Sequence, residues 1–124
     1  MLVQLAPMLI VVGRFLLGAH LFIAAVRNLG NLTTHTEFIA KRSVPQPQLV
    51  LYAGIAVQAV GSAMVALGFY PALGAAALIV FLIVASVLYH NFWDFKGDER
   101  TSHLNACLTN AALLGAMLLV IATA

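Results

Sequence analysis

The chain has 124 residues, of which 63% are hydrophobic and 8% charged, and its mean hydropathy is +1.02. Soluble domains carry about 25% charged residues, so water could not solvate this surface. Six Lys/Arg against four Asp/Glu are too few to track phosphates, which excludes nucleic acid as a partner. One cysteine, Cys107, excludes an intrachain disulfide and a CxxC redox pair.

The composition predicts an all-α integral membrane protein, with four transmembrane helices in an antiparallel bundle forming one domain over residues 1–124. Four spans of roughly 20 residues use up about two thirds of the length and leave no room for a soluble catalytic domain. The first apolar run, Pro7 to Val26, is interrupted only by Arg14 and His20. No basic residue precedes it, and Arg14 splits what would be a signal-peptide core, so it is expected to be a retained helix over about residues 5–28. Leu49 to Leu67 and Ala72 to Tyr89 carry no charge and predict helices over about residues 48–68 and 71–91, joined by the turn Gly68-Phe69-Tyr70-Pro71. Leu104 to Ala122 predicts the fourth, over about residues 103–122. Spanning strands would alternate apolar and polar residues; these runs do not.

The loop between the first two spans contains Thr34-x-x-Glu37, a capping-box pattern, before Phe38, Ile39 and Ala40. Pro45 and Pro47 stop the stretch, which predicts a short amphipathic helix on the membrane surface. Arg27, Lys41 and Arg42 flank or occupy this loop, and Lys96 and Arg100 the third. The positive-inside rule puts both in the cytoplasm, with both termini and the Phe69-Tyr70 turn outside.

Arg14 is the most informative residue, because an arginine in the middle third of a span costs roughly 2.5 to 3.5 kcal/mol even on the gentlest insertion scale. No Asp or Glu occurs in any run, which leaves a ligand, a partner subunit, or snorkelling toward the outer headgroups to compensate it. On the second span Gly54, Gln58, Gly61 and Ser62 form one stripe of small residues and an amide, as expected of a close helix contact. Gln58 lies near mid-membrane at a depth not far from Arg14. A second polar layer comprises Ser86 and His90 on the third span and His103, Cys107 and Asn110 on the fourth, with His20 at comparable depth. Imidazole and thiolate are common metal ligands, but no pair here has a zinc-site spacing within one helix, so no metal site is assigned. A proton relay, the polar end of a ligand cavity, or plain interfacial histidines remain open.

Four stretches resemble DoxX-type small membrane proteins: GRFLLGAHLFIAAVRNL from Gly13 to Leu29, FIAKRSVPQP in the surface segment, YHNFWDF from Tyr89 to Phe95 with its His-x-Phe-Trp pattern, and LTNAALLGAML from Leu108 to Leu118. Many relatives carry a glutamate in the second span where this chain has Gln58, so a charge is missing here. The resemblance implies a small multi-pass subunit of the bacterial inner membrane in a quinone-linked oxidoreductase system of thiol or thiosulfate type, working beside a second membrane or membrane-bound subunit. It implies no intrinsic cofactor, with quinone as the ligand. Arg14 and Gln58 are then expected to meet the ligand's carbonyl. His20, His90, Trp93, His103 and Asn110 complete the expected ligand set. Two other classes stand beside it: a non-catalytic subunit packed against a larger complex or in a homo-oligomer, and a carrier of a small anionic or lipid substrate.

Overall fold

A computed structural model describes residues 1–124. Its elements are α1 (Leu2–Leu29), α2 (Leu32–Ala40), α3 (Pro47–Leu67), α4 (Pro71–Tyr89), a 3₁₀ turn at Phe92–Asp94, and α5 (Gly97–Ala122). α1, α3, α4 and α5 are each long and apolar enough to cross a membrane. The protein is an all-α, multi-pass membrane protein. Its spans pack in chain order, α1 on α3, α3 on α4 and α4 on α5, whereas α1 and α5 barely touch.

Small residues set the spacing. A Cβ added to Gly18 of α1 would lie 2.5 Å from the Ser62 carbonyl oxygen and the Ala66 Cβ of α3, and one on Gly74 of α4 would lie 2.8 Å from the Gly61 carbonyl oxygen. Between helices in lipid there is no hydrophobic driving force, so close backbone approach and its dispersion contacts hold such pairs. The α3 stripe is thereby divided, Gly61 serving α4 and Ser62 serving α1. Around these contacts Leu21, Val65, Ala75, Leu78 and Met117 form a closed apolar core.

α3 ends at Gly68, whose φ of +70° suits glycine, while the Phe69 N–H donates to the Met64 carbonyl at 2.9 Å. This is the Schellman closure, and Pro71 then opens α4, where a missing N–H costs nothing. The Gly18–Ser62 contact also fixes the register of α1 on α3. It brings Arg14 level with Gly68, so the twelve residues from Leu2 to Gly13 run past the α3–α4 turn, about 18 Å of helix at 1.5 Å per residue. Leu2, Val3, Met8 and Leu9 on this overhang are exposed.

Two local expectations are corrected. α2 starts at Leu32 behind Asn31, two residues before Thr34, and no side chain caps it; the expected capping box does not form. α1 ends at Gly30, and the Asn31 carbonyl at once accepts from the His35 N–H at 3.0 Å, so the helix restarts before Thr34 can act as a cap. α5 begins at Gly97, six residues before the apolar run suggests. Asp98 and Glu99 sit in its first turn, where acidic side chains favour the positive end of the helix dipole. Hydropathy marks the part in lipid, not where the helix begins.

Candidate functional site

Between the closed core and α2 the four spans enclose a cavity of about 390 Å³, within the roughly 300–1,000 Å³ range of small-molecule sites. Apolar side chains such as Ile55, Phe81, Leu82 and Leu113 make up most of its wall. α2 covers the end. Its Ile39 is 1% exposed and packs among Ala25, Leu51 and Ile55, and Arg42 beyond it forms an ion pair with Asp94 at 3.1 Å and donates to the Val87 carbonyl at 3.3 Å.

Gln58 is 3% exposed. Its Oε1 accepts from Asn28 Nδ2 at 3.1 Å, which leaves the NH₂ end of the amide without a partner in the chain. Tyr89 also lines the cavity. Phe38 stacks on its ring at 5.4 Å and 6°, and His35 meets it edge-on at 5.5 Å. The Tyr89 hydroxyl is buried and has no hydrogen-bond partner, although a buried polar group left unpaired costs about 1–3 kcal/mol. The cavity therefore offers one unused donor, the NH₂ end of the Gln58 amide, inside a mostly apolar wall, while the Tyr89 hydroxyl is packed away from the open space.

The second polar layer is assembled as one set of ties between α4 and α5. Asn110 Nδ2 donates to Ser86 Oγ at 3.0 Å, the Cys107 thiol donates to the His90 carbonyl at 3.0 Å, and His90 and His103 meet Nδ1 to Nδ1 at 3.3 Å. One of those rings must donate and the other accept, so the contact excludes a proton on both Nδ1 atoms at once. No group of three metal-ligating side chains forms.

Of the residues expected at a ligand site, His20, Gln58, His90 and Asn110 line the cavity. His103 stands behind His90 and stacks on Phe95 at 4.4 Å. Trp93 is 54% exposed and packs edge-on against Phe92 at 5.3 Å. Arg14 is separated from Gln58. Its Nη2 lies 3.5 Å from the position a Cβ would take on Gly68, at the negative C-terminal end of α3, and its Nε is buried without a partner. Gly68 and Gln58 are ten residues apart on the chain, about 15 Å along a helix. Asn28, His35, Tyr89 and Thr109 were not expected in the wall. Asn28, Tyr89 and Thr109 stand beside Arg27, His90 and Asn110, residues already singled out, and lie within the stretches that carry the family resemblance; His35 has no such signal.

Fold and site define a small multi-pass membrane protein with a ligand-sized cavity among its helices. The family model for DoxX matches residues 9–91, two thirds of the chain, and the protein belongs to the DoxX family. No curated protein and no solved structure matches it. The matched stretch ends just after α4, so α5, with Asn110 and Leu108 to Leu118, lies beyond it.

Proposed function

We propose that the chain is the membrane subunit of a quinone-linked oxidoreductase system of thiol or thiosulfate type and that the cavity receives the quinone head group. The carrying observation is the unpartnered donor end of the Gln58 amide in an apolar wall. A quinone has two carbonyl acceptors and no donors, so it complements this donor; a ligand rich in donors does not. Electrons come from a second subunit that handles the sulfur substrate. The charged loops, with Arg27, Lys41, Arg42, Lys96 and Arg100, face the cytoplasm of a bacterial inner membrane, and the termini face outward. A non-catalytic role in a larger complex is the second candidate, favoured by the uncovered apolar overhang of α1.

The test is quinone binding by the full chain in lipid nanodiscs. Wild type is expected to hold about one quinone per chain, and both Gln58→Leu and Gly54→Leu, the second of which fills the cavity, are expected to lose it. Full binding by both folded variants overturns the proposal.

A further inference from the structure

The cavity is closed at both ends and open at its sides. Beyond Gln58 the core of Val65, Ala75, Leu78 and Met117 leaves no passage, each of these residues being fully buried. At the loop end α2 lies across the opening, fastened by buried Ile39, by the Phe38 and His35 contacts on Tyr89 and by Arg42 on Asp94. The lining residues at this end, His35, Ile39, Tyr89 and His90, are buried or half-buried.

Only three residues both line the cavity and are exposed: His20, Val84 and Thr109. All three lie well inside spanning helices, on α1, α4 and α5. None is on a loop. What is exposed there faces hydrocarbon, because these stretches are the apolar segments that cross the membrane. His20 and Thr109 lie on the two spans that barely touch each other, which makes the α1–α5 side the wide one. On α5 the neighbouring His103, Cys107 and Asn110 all turn toward α4; Thr109, 100° around the helix from Asn110, does not share that face.

We propose that the cavity is loaded sideways from the bilayer, past His20, Val84 and Thr109, by an amphiphile whose polar head docks at Gln58 and whose apolar tail stays in the lipid. α2 is then a fixed seal against water, not an entrance. Lateral loading presupposes the head-group site proposed above, and it adds the class of ligand and its route: a membrane-resident, tailed molecule in place of a small solute from the aqueous phase.

The experiment uses the full chain in nanodiscs and a long-tailed quinone supplied within the lipid. In a Cys107→Ser background, Arg42→Cys and Asp94→Cys are bridged by a bifunctional maleimide, which locks α2 shut. Separately, His20→Trp and Thr109→Trp crowd the sides; both positions are exposed, so folding is expected to survive. Locking α2 is expected to leave the binding rate and affinity within twofold of the unbridged protein, and at least one tryptophan variant is expected to lower affinity tenfold or more. Loss of binding on bridging, or wild-type binding in both tryptophan variants, overturns lateral loading while leaving the head-group site standing. No quinone bound by the unmodified chain, with either a long-tailed or a tail-less homologue, overturns both.

Discussion

Asn28 Nδ2 donates to Gln58 Oε1 at 3.1 Å, tying the last turns of α1 to the middle of α3. The bond occupies the acceptor end of the Gln58 amide. Its donor end is left for whatever enters the cavity, and a half-satisfied amide in a low-dielectric wall is a strong recognition element. Gly18 makes this possible, since the close approach of α1 to Ser62 and Ala66 brings Asn28 within reach of α3.

The coupling between Asn28 and Gln58 can be measured directly. A double-mutant cycle of Asn28→Ala and Gln58→Ala, read from unfolding in mixed micelles, is expected to give about 0.6 kcal/mol and no more than about 1.7 kcal/mol, the range of such bonds between membrane helices. A coupling of zero would mean that the two side chains do not meet in the membrane.

Tyr89→Phe separates stability from binding. The hydroxyl has no partner in the ligand-free protein, so removing it relieves an unsatisfied group, and the empty variant is expected to be as stable as wild type or up to about 1–3 kcal/mol more stable. Its quinone affinity is expected to stay within twofold of wild type, because the hydroxyl is packed away from the cavity. Thermal unfolding and ligand titration on the same preparation check both halves.

Glycine substitutions are expected to divide by contact. Gly18→Ala places a Cβ 2.5 Å from Ala66 and Ser62 atoms, forcing α1 off α3 at about 1–3 kcal/mol. Gly115→Ala meets nothing within 4 Å and is expected to be neutral, or to stabilise α5 by up to about 1 kcal/mol. Unfolding midpoints of the two variants in one detergent provide the comparison.

Arg14→Gln is expected to leave quinone affinity within twofold of wild type, because Arg14 sits at Gly68 and outside the cavity. A tenfold loss in this variant would place the arginine in the ligand site after all.

Arg42→Ala removes both the Asp94 ion pair and the bond to the Val87 carbonyl. Faster hydrogen exchange in α2 is expected, with the exchange of α3 and α4 unchanged, and high salt is expected to mimic part of the effect in the wild-type protein.

The four spans were legible in the sequence because a bilayer demands uninterrupted apolar runs of fixed length, a constraint that depends on no contact between helices. The ties between α4 and α5 were foreshadowed by spacing, His103, Cys107 and Asn110 sharing one helix face. The depth of Arg14 was harder to judge. Counting from the end of the apolar run places it beside Gln58, but register is set by backbone fit at Gly18, and a single sequence does not reveal which glycine meets which carbonyl. Tyr89 was missed for a related reason. Its ring is held by Phe38, stacked on it, and by His35, edge-on to it, residues about fifty positions away on another helix.

α1 is 28 residues long against 21 for α3 and 19 for α4, or about 42 Å against about 30 Å. One membrane cannot match both lengths with every helix upright. Because Gly18 locks α1 to α3, the surplus falls entirely at the α3–α4 turn end, where the lipid must thicken locally around Leu2 to Val12 or the whole bundle must lean. Membrane thickness thus acts on this protein through a single helix, and through the joint at Gly18 it acts on the spacing of the cavity wall.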